Sequence, residues 1–164
     1  MDYYIEIKQE LINNEITKRI KDYSKNKSDL TTYYNVGKLL AEAGKHYGDG
    51  IIKQYSKRLT KEMNKGCSVT SLKYMRLFYE YAKSQPVADQ LSWSHYIILL
   101  PLKDNNKINY YIQISVQSNL SKRELIQRIK SKEYERLDET TKLKLQNQEE
   151  IKITDFIKNP IIIR

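Results

Sequence analysis

Two histidines, one cysteine and a Glu-x-Lys triplet are the first residues to weigh for catalysis in this chain. His46 follows Lys45 at what reads as a helix end, and His95 sits beside Trp93 in an apolar stretch. Neither has Cys or carboxylate neighbours at ligand spacing, so no zinc site is expected. His95 lacks the partner residues a general base needs and reads as a structural, partly buried histidine. Cys67 has no histidine near it in sequence and lies where a small apolar side chain can pack under a turn, so it reads as inert. Glu150-Ile151-Lys152 matches the E-x-K of metal-dependent nucleases, in which carboxylates hold Mg²⁺ and the lysine positions water or stabilises charge. Three residues match by chance often, no acidic strand precedes them, and only 12 residues follow Lys152. The expectation is therefore no catalytic residue, no metal and no cofactor, and so no enzyme.

Binding chemistry is better represented. Lys53, Lys57 and Lys61 recur at i+4 spacing, with Arg58 beside them and Lys65 beyond. On a helix this spacing makes one row of cations, which suits a line of phosphates and sets register without reading sequence. Ser68, Thr70, Ser71, Lys73, Tyr74 and Arg76 follow, a mixture of hydroxyls and cations. Ser and Thr can contact phosphate or either base type, and Arg can grip guanine in the bidentate way, worth about 1–3 kcal/mol of discrimination. A third group, Lys122, Arg123 and Arg128 with Lys130 and Lys132, could hold backbone phosphates or form a solvated face laced with ion pairs.

These residues need helices to position them, and the apolar periodicity supplies helices throughout. A first amphipathic helix is expected over about 5–25, through Ile5, Leu11 or Ile12, Ile16, Ile20 and Tyr23. Ser28 offers an N-cap for a second at about 29–46, with Leu30, Tyr33 or Tyr34, Val36 or Gly37, and Leu40 as its stripe. Gly48-Asp49-Gly50 breaks the chain, and a third helix at about 51–64 carries Ile52, Tyr55, Leu59 and Met63 inward. Lys65-Gly66-Cys67 reads as a tight turn, the glycine supplying left-handed backbone. Ser68 then caps a fourth helix at about 69–84, with Leu72, Met75, Tyr79 and Ala82 inside, Thr70, Ser71, Lys73, Tyr74 and Arg76 outside, and Leu77 at the margin. Gln85-Pro86 ends it.

Ser92 opens an apolar helix through Trp93, Tyr96, Ile97 and Leu100, interrupted at Pro101. Further helices are expected at about 105–118 and 121–136, the latter from a capping box of Ser121 and Glu124 with Leu125 and Ile129 inward. Residues 137–164 read as a polar tail or linker, with Ile151–Phe156 a short strand or extended segment. The expectation is an all-α, multi-helix domain over 1–136. Within it, 51–84 has the grammar of a helix-turn-helix, whose second helix enters the major groove.

Composition agrees. The 164 residues are 40% apolar and 30% charged, a globular balance, with only 5 Gly and 3 Pro to break helices. No apolar run approaches a membrane span, the N-terminus is too acidic and mixed for a signal peptide, and one cysteine fits a reducing compartment. A cytoplasmic location is expected. The +9 net charge is unevenly spread. Residues 1–50 balance eight basic against eight acidic, residues 51–83 hold eight against two, and residues 103–136 hold eight against four. Two concentrated cationic segments are what a polyanion-binding face requires.

Three segments in order, YGDGIIKQYSKRLTKEMNKGCSVTSLKYMRLFYEYA, QLSWSHYIILLPLKD and NLSKRELIQRIKSKEYERL, resemble the N-terminal domain of the YhcG family. The resemblance covers about residues 14–137, with YMRLFY and LSWSHY its specific segments. In those bacterial proteins a domain labelled as of unknown function precedes a PDDEXK-type nuclease domain. The resemblance implies a helical DNA-binding front end with a helix-turn-helix at 51–84. Asn64 and Cys67 stand where the family usually has Gly and Phe, and Leu120 where it usually has Trp. ITDFIKNPIIIR resembles the connector at which the nuclease domain begins, and no position here matches that domain's residues. The chain is thus expected to be a truncated or stand-alone targeting module.

The expected partner is DNA, duplex or branched, with a nuclease domain or nuclease partner as a second. The competing reading is a protein-docking or dimerisation module built on the LSWSHY helix and the tyrosines. An RNA-binding module is a third, since tyrosines stack well on single strands.

Overall fold

A computed structural model describes residues 2–20, 25–63 and 67–147, the side chains of 16–20 and 25–28 excepted. The described residues form eight α-helices and no strand. They divide into two compact units, one ending at Ser84 and the other beginning at Gln85. Ile16, Ile20, Tyr23, Lys65, Gly66, the Glu150–Lys152 triplet and the Ile151–Phe156 segment bear on expectations that fall outside the described residues or side chains.

The first unit holds α1 (Tyr3–Ile20), α2 (Lys25–Tyr47), α3 (Ile51–Met63) and α4 (Val69–Ala82). Asp2 starts α1, its carboxylate accepting from the Tyr4 and Ile5 amides at 3.1 and 3.3 Å. The buried face of α1 is Tyr3, Tyr4, Ile7, Leu11 and Asn14, while Ile5 is 61% exposed. This corrects the stripe expected through Ile5. Two consecutive tyrosines carry more apolar area than one isoleucine, and they set the rotation of the helix. The Asn14 amide donates to the Asp29 carboxylate at 2.9 Å, tying α1 to α2.

Helix α2 begins at Lys25, so Ser28 lies inside its first turn and is not the N-cap. Lys-Asn-Lys holds no breaker, and an isolated hydroxyl does not stop a helix whose core residues lie downstream. Leu30, Val36, Leu40 and Ala43 are buried as the periodicity requires. Gly37 makes a close crossing possible: a Cβ there would stand 2.1 Å from the Met75 carbonyl oxygen and 2.8 Å from Tyr79 Cβ. Helices α2 and α4 therefore meet almost backbone to backbone. On α4 the buried residues are Leu72, Met75, Phe78 and Tyr81, whereas Tyr79 and Ala82 are half-buried. The expected stripe was too narrow, because α4 packs over a wide arc: Tyr79 meets Tyr34 edge-on at 5.2 Å on one flank.

The second unit holds α5 (Trp93–Leu99), a 3-10 turn (Leu100–Leu102), α6 (Asn105–Gln117), α7 (Lys122–Lys130), a second 3-10 turn (Tyr134–Arg136) and α8 (Glu139–Gln146). Ser92, Asp104, Ser121 and Asp138 each cap the following helix by accepting backbone amides. Helix α7 stops at Lys130, not at 136 as expected, and Lys132 then takes a left-handed φ of 56°. The reason lies one residue on. Glu133 is buried, accepts from the Tyr110 hydroxyl at 2.6 Å and pairs with Arg128 at 3.2 Å. A continued helix would not deliver that carboxylate to both partners. Helix α8 was not anticipated; it buries Thr141 and Leu145 behind the Asp138 cap.

Candidate nucleic-acid interface

Helix α3 presents two unlike faces. Ile51, Ile52, Tyr55, Ser56 and Leu59 are buried, and Lys53, Lys57, Arg58 and Lys61 are exposed. Among the described residues, Lys53, Lys57 and Lys61 take part in no ion pair. Their i+4 spacing puts three free ammonium groups in a row.

The one carboxylate of α3 is drawn away from that row. Glu62 accepts from the Tyr4 hydroxyl and from Lys8 Nζ, the latter at 3.1 Å, and both partners lie on α1. The hydrogen bond from Tyr4, then that from Lys8, holds the Glu62 carboxyl below its ordinary range. Burial and the bond to Glu62 push the Tyr4 phenol up to about 12. The Arg58 guanidinium lies 3.6 Å above the centre of the same Tyr4 ring. An arginine stacked in this way keeps its charge and loses rotamer freedom, so it is partly preorganised for an anion. Sequence periodicity missed Tyr4 in this role, since its partners are 54 and 58 residues away in the chain.

The connection into α4 is pinned from α3. The Ser56 hydroxyl donates to the Cys67 carbonyl at 2.6 Å, and the Thr60 hydroxyl accepts from the Cys67 amide at 3.3 Å. Cys67 is thus held by its backbone, with a half-buried side chain, and no disulfide constrains it. Ser68 is the N-cap: its hydroxyl accepts from the Ser71 amide at 3.0 Å and bonds the Ser71 hydroxyl at 3.0 Å. Thr70, Ser71 and Lys73 are exposed, Tyr74 and Arg76 half-buried, and Leu77 is 37% exposed. The outward set of α4 lies on the side the spacing implied. Arg76 is already engaged, pairing with Asp49 of the α2–α3 turn at 3.1 Å. A pair this exposed contributes about 0–1 kcal/mol, so it is easily exchanged.

On α7, Leu125 is fully buried and Ile129 half-buried, with Lys122, Arg123 and Lys130 exposed. Arg128 is not a free cation, since it pairs with Glu133. Lys122, Arg123, Ile126, Gln127 and Lys130 border a shallow, open depression. At the start of the helix the Ser121 hydroxyl accepts from the Glu124 amide at 3.2 Å and also lies 3.0 Å from the Glu124 carboxylate.

Both ring nitrogens of His95 are occupied. Nε2 lies 3.0 Å from the Leu120 carbonyl and Nδ1 lies 2.7 Å from the Ser92 hydroxyl. A carbonyl can only accept, so Nε2 donates to Leu120. His46 stacks on Tyr3 at 5.8 Å. Among the described residues no three His, Cys, Asp or Glu side chains are grouped to hold a metal ion, and no helix is long and apolar enough to cross a membrane. The arrangement in α3 and α4 can neutralise a polyanion and offer hydroxyl, amide-cap and guanidinium donors beside it.

A family model described as DUF1016 N-terminal domain matches residues 6–136. No curated protein and no solved structure is significantly similar to the chain.

Proposed function

We propose that this chain, which belongs to the DUF1016 N-terminal domain family, is a DNA-binding module that uses α3 and α4 as a helix-turn-helix. The observation that carries this reading is the row of Lys53, Lys57 and Lys61, exposed and free of ion pairs among the described residues. A row of unpaired ammonium groups beside a capped helix of hydroxyl and cationic residues matches the chemistry of phosphate neutralisation with adjacent groove contacts.

In this reading Lys53, Lys57, Lys61 and the stacked Arg58 hold phosphates and fix register. Thr70, Ser71, Lys73, Tyr74 and Arg76 stand nearest base edges, and Ser68 flanks them at the N-cap of α4. In the second unit, taken by itself, Lys122 and Arg123 of α7 are further candidates for phosphate contact, with Arg128 committed first to Glu133. The module carries no chemistry of its own and serves to hold a nuclease domain or nuclease partner on DNA. Duplex and branched DNA are both eligible ligands.

A docking or dimerising role for the LSWSHY segment finds less to work with. Tyr96, Leu99 and Leu100 are buried, and Tyr96 is committed to Ala88, accepting from its amide and donating to its carbonyl, both at 2.9 Å. The experiment that tests the proposal is direct titration of labelled duplex, branched and single-stranded DNA with the chain at several salt concentrations.

A further inference from the structure

No glycine stands beyond Gly66, so the second unit makes its left-handed turns with other residues. Among its described residues these are Lys103 at φ 67°, Asn119 at 48° and Lys132 at 56°. Each closes a helix or 3-10 turn, where glycine is the usual occupant and asparagine its common substitute. Asn119 is the ordinary solution. Lys103 and Lys132 are not, because left-handed backbone brings the Cβ of an L-residue against its own carbonyl. The fold requires the conformation at both places. After Lys103 the Asp104 amide bonds the Leu102 carbonyl at 2.8 Å, and Asp104 becomes the cap of α6. After Lys132 the Glu133 amide turns back to the Arg128 carbonyl at 3.5 Å, and Glu133 reaches Tyr110. Neither turn requires lysine. Asparagine is not scarce nearby, at Asn105, Asn106 and Asn109, so composition does not account for the choice.

The two lysine turns meet. Lys107, just past Lys103, pairs at 2.8 Å with Glu135, just past Lys132. Burial raises the Glu135 carboxyl, but the hydrogen bond from Lys107, with the charges of Lys107 and Lys132 behind it, brings it below its ordinary range. That carboxylate is committed to Lys107. Lys103 and Lys132 are exposed and take part in no ion pair among the described residues.

We propose that Lys103 and Lys132 form a phosphate-binding site on the second unit, two cations kept at turns that glycine or asparagine would fill at lower cost. This rests on the DNA-binding reading above and gives the second unit a backbone contact of its own. Residues held in sparsely populated backbone conformations concentrate where the side chain is needed for binding. Two unpaired ammonium groups on either side of a neutralised pair suit the phosphate backbone, adding affinity for every sequence equally.

Lys103→Gly and Lys132→Gly test this in the intact chain, because relief of strain and loss of charge act in opposite directions. Each is expected to raise the melting temperature by a few degrees. Each also flattens the slope of log K against log salt on duplex DNA by about 0.9, one phosphate contact. A variant more stable than wild type that binds less well cannot owe the loss to misfolding. Lys132→Arg keeps the wild-type slope and the wild-type melting temperature. Lys38→Gln removes a cation that lies beside Glu6, Glu10 and Glu42 on the first unit, and leaves the slope unchanged. Glycine variants that are stabilised yet keep the wild-type slope overturn the proposal and leave the reading of α3 and α4 standing. An equal fall in Lys38→Gln does the same, since net charge then accounts for the effect. A melting temperature that does not rise removes the premise that lysine is costly there, and overturns it too. If the wild-type chain binds no DNA, the DNA-binding reading itself fails, an outcome distinct from the others.

Discussion

The Ser56 hydroxyl donates to the Cys67 carbonyl at 2.6 Å, so a buried residue of α3 fixes the backbone that leads into α4. Thr60, one turn further along α3, accepts from the Cys67 amide. The two hydroxyls hold both polar groups of a single peptide position, and the angle between the helices is fixed outside their apolar contact. Ser56→Ala leaves the Cys67 carbonyl without this donor. It is expected to cost about 1–3 kcal/mol of stability, read from the midpoint of a urea titration, and to weaken DNA binding more than an equally destabilising core change elsewhere.

Gly37 and Gly44 stand two turns apart on α2 and are expected to respond in opposite directions. A Cβ at Gly37 would meet the Met75 carbonyl at 2.1 Å, whereas at Gly44 the nearest atom outside the helix backbone is Asp49 Oδ1 at 3.8 Å. Gly37→Ala must push α2 and α4 apart and is expected to cost at least about 1–3 kcal/mol. Gly44→Ala gains about 0.5–1 kcal/mol from reduced backbone freedom. Thermal melts of the two single variants decide it.

Alkaline pH is expected to destabilise the fold through its tyrosines. Burial pushes the Tyr33 and Tyr111 phenols up to about 12 and raises those of Tyr96 and Tyr110 as well. In the unfolded chain these groups titrate near ~10. The folded pKa is the higher one, so the stability they contribute is complete below about pH 10 and is lost as pH rises towards about 12. Melting temperatures followed against pH, with tyrosinate absorbance as a second probe, should fall together over that interval. A flat melting temperature there would contradict the burial.

Replacing Lys73 and Arg76 together by Glu should abolish DNA binding and leave the helices intact. Lys73 is exposed and Arg76 bonds only outward, to Asp49. Circular dichroism checks the fold and titration of labelled duplex checks binding. Wild-type affinity in that double variant would remove α4 from the interface.

Much of the fold was legible because it depends on local pattern. The Gly48-Asp49-Gly50 break, the Ser68, Ser92 and Ser121 caps and the inward Ile52, Tyr55 and Leu59 of α3 follow from spacing and cap chemistry alone, whereas Met63, expected inward, is only half-buried. What was not legible depends on contacts between distant residues. The rotation of α1 follows from Tyr4 reaching Glu62, and the end of α7 follows from Glu133 reaching Tyr110. The start of α2 was misplaced because Ser28 resembled a cap without any apolar discontinuity behind it. For the candidate site, residue types and spacing identified the outward cations. They could not reveal that Arg58 is stacked on Tyr4, Arg76 held by Asp49 and Arg128 by Glu133. Those pairings separate the free cations from the engaged ones.

The most direct test is fluorescence-anisotropy titration of labelled duplex, branched and single-stranded DNA with the intact chain across a salt series. The account predicts binding whose log K falls linearly with log salt, with a slope of about 0.9 for each phosphate contacted on duplex, and Lys53→Gln, Lys57→Gln and Lys61→Gln each reducing that slope. A folded chain that fails to bind any of these DNAs even at low salt would contradict it.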